Sequence, residues 1–212
     1  MNFISSDLHL GHANICKHTP RPCATVEESD IMLIDNYNKV VGKKDTTYIV
    51  GDFAFKDHNK YLSRLNGKKI LILGSHDRMP LEVVRNFTSV HQTLMLKLDN
   101  SFYWLAHNCH RVWERSHYGV PHLFGHSHGR LSTYNLSFDV GVDTQLANYF
   151  PLSMAQIDAE VERRREYMRS CGRIVEENGK ELYRQDDVSW LDSKITEMEE
   201  REKDDKVTEA EH

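Results

Sequence analysis

The chain lacks a long hydrophobic run. None approaches the roughly 18 residues that a membrane-spanning helix needs, so no membrane partner is expected. The opening Met1-Asn2-Phe3-Ile4 has neither a basic region nor an extended apolar core. No signal peptide is expected, and a cytoplasmic location follows as the default. Cysteine is scarce: only Cys16, Cys23, Cys109 and Cys171 occur, with no close CxxC pair. In a chain of 212 residues that argues against a disulfide framework. Cys16 and Cys23 lie among polar and His residues, which leaves a zinc site open. There is no internal repeat. There is also no stripe of Lys and Arg with interleaved aromatics, and the net charge is −5. An extended nucleic-acid surface is therefore not evident.

What is present is unevenly spread. Residues 1–153 hold 16 basic and 14 acidic side chains, whereas residues 154–212 hold 11 and 18. Twelve of the thirteen histidines lie at or before position 128. The titratable and metal-capable groups belong to the front of the chain. The rear reads as an acidic appendage. Hydrophobic residues make up 39% of the chain and charged ones 28%, as in a soluble protein with a moderate core.

Along the chain, Phe3–Ser6 reads as a strand. The segment from Gly11 to Cys23 is a polar loop broken by Pro20 and Pro22. Thr25-x-x-Glu28 is a capping box that opens a helix over Val26–Val41, with an apolar face of Ile31, Ile34, Tyr37, Asn38 and Val41. Thr46–Val50 is a β-branched strand ending at Gly51-Asp52. A short helix over Asn59–Leu65 leads to the buried strand Ile70–Leu73, stopped by Gly74. This β-α-β-α-β order predicts a parallel, right-handed α/β core. A helical turn is expected at Leu81–Asn86. Ser89–Leu98 and Phe102–Ala106 read as a hairpin turned at Asp99-Asn100. His122–Phe124 and Tyr134–Val142 are further strands. Ser153-x-x-Gln156 caps a helix to about Ser170, Val188–Arg201 is expected to be helical, and the end from Glu202 is expected to fray.

Chemistry gathers at the strand ends: Asp7 and His9, Asp52, Ser75 and His76, His107, His126 and His128. In open α/β sheets ligands bind outside the carboxyl ends of the strands. Asp7/His9 and His126/His128 are spaced i, i+2, which on extended backbone aims both side chains to one side. Five such ends carrying Asp, His and hydroxyl groups point to one shared metal site. Mixed imidazole and carboxylate ligation suits Zn, Mn, Fe or Ni alike. His110 rivals His107, but His107 leaves its strand first.

The ordered set D-x-H, G-D, G-x-H-D, H and G-H-x-H resembles the calcineurin-like metallophosphoesterase superfamily. The start Ser6-Asp7-Leu8-His9-Leu10-Gly11-His12-Ala13-Asn14 looks most like its small bacterial and phage phosphoesterases. The resemblance covers roughly residues 2–157 and sets the expected domain boundary: a core over 1–157 and a charged helical appendage over 158–212. It implies two β-sheets packed face to face and flanked by helices, a four-layer sandwich. It also implies two divalent metal ions, with Mn2+ favoured. One would take Asp7, His9, Asp52 and His128. The other would take Asp52, Ser75, His107 and His126, with Asp52 bridging. The family has Asn where this chain has Ser75, a shorter, neutral ligand. His76 resembles the family's non-ligand histidine, which serves the leaving oxygen, and Asp77 beside it would orient the imidazole. His12 and Arg21 are candidate substrate-binding residues. Asp143 is read as holding a ligand histidine from behind.

The activity implied is metal-dependent hydrolysis of a small or cyclic-nucleotide-like phosphodiester. Two alternatives stay open: a nuclease acting on RNA or DNA ends, and a binding module impaired by Ser75. The sequence leaves the oligomeric state and the physiological substrate unassigned.

Overall fold

The structure, a computed structural model, describes residues 1–132 and 134–183. The helix expected over Val188–Arg201 and the end from Glu202 lie outside the described residues.

The chain opens with β1 (Asn2–Ser5), α1 (Ile15–His18), α2 (Val26–Val40), β2 (Thr46–Val50), α3 (His58–Arg64) and β3 (Lys68–Ile72). It continues through α4 (Leu81–Val84) to β4 (Ser89–His91), β5 (Thr93–Leu98), β6 (Ser101–Ala106), β7 (His122–Phe124) and β8 (Ser137–Asp139). The last elements are β9 (Leu152–Ser153), α5 (Met154–Ser170), β10 (Ile174–Glu177) and β11 (Lys180–Tyr183). The first sheet runs β4-β3-β2-β1-β9 and the second β5-β6-β7-β8. Strands β1 to β4 are mutually parallel, and β9 closes the sheet antiparallel to β1. In the second sheet β5 is antiparallel to β6, while β6, β7 and β8 run parallel.

Side-chain alternation sorts each strand between two cores. Phe3, Ile49 and Leu71 face one way, onto Leu33, Ile34 and Tyr37 of α2 and Tyr61 and Leu62 of α3. Their neighbours Ile4, Tyr48, Val50 and Ile72 face the other way, onto Leu96, Tyr103, Leu105, Leu123 and Phe138 of the second sheet. A sheet buried on both faces explains why β2 and β3 read as continuous apolar runs rather than alternating ones. The fold is thus α/β, two mixed sheets face to face with helices flanking them. Behind the second sheet, His122 packs against Trp113 and His110 of the segment between β6 and β7, at ring separations of 5.2 Å each. Most of that layer is loop, with one turn of 3-10 helix at Ser116–Tyr118.

Four local expectations need correction. The buried face of α2 is Ser29, Asp30, Leu33, Ile34 and Tyr37, and Ile31 is 52% exposed. A charged residue takes the inner position because the Asp30 carboxylate accepts bonds from the Gly11 amide and the Tyr61 hydroxyl. Ser89–Leu98 is not one strand: it breaks at Gln92, so β4 joins the first sheet and β5 the second. The strand expected over Tyr134–Val142 is only Ser137–Asp139. The boundary expected at residue 157 falls inside α5, whose Ile157, Val161 and Met168 are all buried in the inter-sheet core. The hairpin β10–β11, which has no counterpart in the expected elements, follows it, and Ile174 joins the same core.

The two sheets meet at their carboxyl ends. Ser6, just past β1, bridges in parallel to Gly141, just past β8, and the Val142 amide donates to the Ser6 carbonyl at 3.1 Å. That seam carries the polar groups.

Candidate metal centre

Asp7 and His9 follow β1, Asp52 follows β2, Ser75-His76-Asp77 follow β3, His107 follows β6, and His126 and His128 follow β7. The seam gathers them into two triads, Asp7/His9/His128 and Asp52/His107/His126. Within each, the ligand-capable atoms lie within 4.8 Å of one another. The i, i+2 argument holds for one pair and fails for the other. Asp7 and His9 share a triad, whereas His126 and His128 divide between the two. Neither outcome follows from extended backbone, because both pairs are left-handed. Asp7, His9, Asp52, His126 and His128 have φ of 57°, 49°, 52°, 67° and 50°. Non-glycine residues adopt this region seldom, and such strain concentrates at functional sites.

Asp52 ties the triads together. Its Oδ2 is 3.5 Å from Nε2 of His9 and 3.3 Å from Nε2 of His107. Its Oδ1 is occupied by the His76 amide, which donates at 2.8 Å. Both of those Nε2 atoms are buried and make no hydrogen bond. A buried imidazole nitrogen left unpartnered is costly unless a ligand completes it. Nδ1 of His107 carries a proton, because it donates to the Val50 carbonyl at 2.9 Å, so Nε2 is the nitrogen that offers a lone pair once the ring is neutral. Nδ1 of His128 likewise meets Oδ2 of Asp143 at 2.7 Å. A mixed imidazole and carboxylate donor set with orphaned lone pairs fits divalent metal ions, without selecting one.

The charges agree with this. Burial drives the Asp7 carboxyl up to about 7, against the pull of His128 and His107. Burial alone would lower His107, but the Asp52 carboxylate outweighs it and raises the imidazole to about 9. Burial lowers His9 to about 3. Asp52 is held well below the usual carboxylate range: burial opposes this, but the adjacent His107 imidazole and the bond from the His76 amide prevail. One site thus mixes a reluctant acid, a reluctant base and a fixed anion, the perturbation expected where function resides.

The surrounding residues explain how the strand ends come so close. A Cβ on Gly125 would meet Ser6 Oγ at 2.0 Å and Asp7 Oδ2 at 2.3 Å. A Cβ on Gly74 would meet Asp52 Oδ1 at 2.3 Å. Only glycine permits either approach.

Two expected roles change. The Arg21 side chain has no exposed surface. Its guanidinium grips Asp143 through two bonds of 2.7 and 3.0 Å and reaches the carbonyls of Leu8 and Asp7 and the hydroxyl of Ser29. Every direction is spent, so Arg21 positions Asp143, and through it His128, instead of meeting substrate. Asp77 does not touch the His76 ring. It accepts from the amides of Asp52, Phe53 and Gly74 at 2.8, 2.9 and 2.8 Å and staples the β2 and β3 loops together.

His76 and Ser75 are exposed at the mouth. The His76 ring lies 5.5 Å from that of His9 and 6.2 Å from that of His12. Ser75 Oγ is 3.5 Å from Asp52 Oδ2, the oxygen between the two triads, at the limit of a hydrogen bond. His12 sits beside His9 at 5.7 Å with its Nδ1 buried and unpartnered. His110 is turned away, accepting from the Trp104 indole at 3.2 Å. Cys16 and Cys23 form no cluster with a third His, Cys, Asp or Glu among the described residues, which leaves the zinc site open at them without ligands.

Two contributors were missed. Asp139 accepts from Ser127 Oγ, the Gly129 amide and the Gly141 amide at 2.6, 2.8 and 2.7 Å, and so fixes the loop bearing His126 and His128. Phe55 is 53% exposed with its ring 4.9 Å from that of His12. A carboxylate inside an apolar strand was the available signal for Asp139. For Phe55 the only signal was its place three residues past Asp52.

No family model matches the chain. It is 30% identical over 172 residues to the uncharacterized protein MJ1445 of Methanocaldococcus jannaschii, covering 76% of this chain and 91% of that one. Over 81 residues it is 36% identical to the gene 66 protein of Mycobacterium phage L5, 35% of this chain and 39% of that one. Among solved structures it is similar to AQ665 of Aquifex aeolicus, a protein of unknown function. That likeness has a TM-score of 0.59 and 24% identity, over 76% of this chain and 98% of that one. The archaeal match covers nearly the full length of that protein, and on it the chain belongs to the family of MJ1445.

Proposed function

We propose that the protein is a metal-dependent phosphoesterase acting on small phosphodiesters. The observation that carries this is the single Asp52 oxygen held between two buried, unpartnered histidine nitrogens. Asp7, His9, Asp52 and His128 would hold one divalent ion, and Asp52, His107 and His126 the other. A pair of such ions supplies Lewis acidity at the phosphoryl oxygens and a water acidified toward neutrality.

The chain's own residues do the rest. Val50 and Asp143 fix the tautomers of His107 and His128, which sets the aim of both imidazoles. The His76 amide holds Asp52 by one oxygen and leaves the other toward the triads. The exposed His76 ring, next to His9, is placed to give a proton to the departing alkoxide. The rim groups His12, Phe55, Ser75 and His76 carry no fixed positive charge. On that side a monoanionic diester is better suited than a dianionic monoester, and the cleft that reaches His128 is lined by Arg130, Arg163 and Arg164. Phe55 adds an apolar face against which the bulk of an ester group can rest.

The test is chelation followed by reconstitution. The stripped chain should be inert toward bis(p-nitrophenyl) phosphate, and Mn2+ should restore turnover in preference to turnover of p-nitrophenyl phosphate. Failure of every divalent metal to restore hydrolysis sinks the reading. A monoester preference overturns its diester part alone.

A further inference from the structure

We propose that Cys16 and Cys23 are a working dithiol that closes to a disulfide and clasps the loop bearing Arg21. Their sulfurs lie 2.8 Å apart. Both side chains are only half-buried, so a small oxidant can reach them. Most of the loop between them is already tied down. Thr19 Oγ1 donates to the Ile15 carbonyl at 2.9 Å, Tyr149 donates to the Pro20 carbonyl at 3.0 Å, and the Cys23 amide donates to the Arg21 carbonyl at 2.8 Å. Pro20 and Pro22 flank Arg21 and narrow what the backbone can do. The two thiols are thus presented to each other with little left to order. No third metal-capable side chain accompanies them among the described residues, so covalent closure is the chemistry that remains.

The reaction balances with a peroxide or a small disulfide as oxidant. Two thiols lose two protons and two electrons, and one S–S bond forms. A peroxide accepts them as its O–O bond breaks, leaving water and an alcohol or a second water. A small disulfide instead exchanges twice and leaves as two thiols. Burial, with the neighbouring sulfur second, pushes the Cys16 thiol up to about 11. Its thiolate is scarce at neutral pH, which makes Cys16 a poor first nucleophile. The pair is a clasp set by the prevailing redox poise.

The consequence reaches the seam chiefly through Arg21, which bridges this loop to Asp143, which in turn holds His128. Tyr149 and Arg130 also donate to the loop, at the carbonyls of Pro20 and His18. Cross-linking a loop this short removes unfolded-state entropy and should raise the melting temperature by about 5–10 °C. The proposal is independent of any catalytic reading.

The full-length chain is reduced, stripped of metal and equilibrated across a series of glutathione redox ratios. It is then alkylated and mapped without reduction. A linked Cys16–Cys23 peptide is expected, with Cys109 and Cys171 still alkylated. The higher melting temperature and slower amide exchange over residues 15–24 should appear only in the linked form. Cys16→Ser and Cys23→Ser should each fold, bind metal and lose the rise. Alkylation of all four thiols throughout, or glutathione adducts without a linked peptide, overturns the dithiol. A zinc equivalent lost in both serine variants does the same. A linked peptide with no change in melting or exchange overturns the clasp.

Discussion

Asp52 offers one oxygen to two histidines, so its charge is shared by both triads. Asp52→Asn keeps the shape and the bond from His76 but removes the anion. Metal content measured by elemental analysis should fall from about two ions per chain to less than one. Retention of both ions would show that Asp52 does not bridge. Arg21 gives a contrasting case. Arg21→Met leaves the Asp143 carboxylate buried without its cation, and the expected loss is about 3–5 kcal/mol in urea unfolding. A substrate-binding arginine would instead raise KM and leave stability intact. The difference between these residues also marks what the sequence could convey. The order of Asp, His and Gly at the strand ends exposed the metal-capable set, because strand ends need only local pattern to locate. The partner of Arg21 lies 122 positions away, and nothing local says whether an arginine in a loop faces water or a carboxylate. Asp77 misled for the same reason: its neighbour in sequence is His76, but its partners are three amides across two loops.

At the scale of elements, α2 shows where pattern and packing part. Leu33→Ala should cost about 2–5 kcal/mol and Ile31→Ala under about 0.5 kcal/mol, the reverse of what an apolar face that includes Ile31 and omits Leu33 would give. Equal costs by denaturant titration would restore the sequence-based face. Its register was unreadable because an aspartate, Asp30, supplies part of the buried stripe. Strands β2 and β3 were legible, since apolar or β-branched runs stopped by glycine announce strands that are buried on both sides. The break at Gln92 was not, because two strands in different sheets look like one when no turn residue divides them. The loop after β7 carries its own prediction. Gly125→Ala drives a methyl into Ser6 and Asp7, so metal binding should fail while far-UV circular dichroism keeps the native α/β signal. Normal metal affinity in that variant would mean the loop can retreat.

For the whole molecule, the metal-free site is a store of protons. His107 is raised to about 9 and Asp7 to about 7, so the folded chain holds protons that the unfolded chain has released. With more protons bound in the native state, stability falls as pH rises, here between about 6.5 and 9 for His107. The chelated protein should therefore melt at progressively lower temperature across that window. Metal must displace the same protons, so its affinity should climb with pH and its binding should release about one proton or more near pH 7.5. Calorimetry in buffers of different ionisation enthalpy reads this directly. A pH-independent affinity, or a melting temperature that rises toward pH 9 without metal, would refute it.

The left-handed backbone at Asp7, His9, Asp52, His126 and His128 bears on how the site can be lost in evolution. Asparagine and glycine tolerate that conformation, whereas valine and isoleucine do not. In a saturation library sorted for folding, Asn and Gly should be recovered at these five positions without activity, and β-branched residues should vanish. Inherited decay of the site would follow the same route, leaving silent descendants that keep the fold and carry asparagine where the ligands once stood.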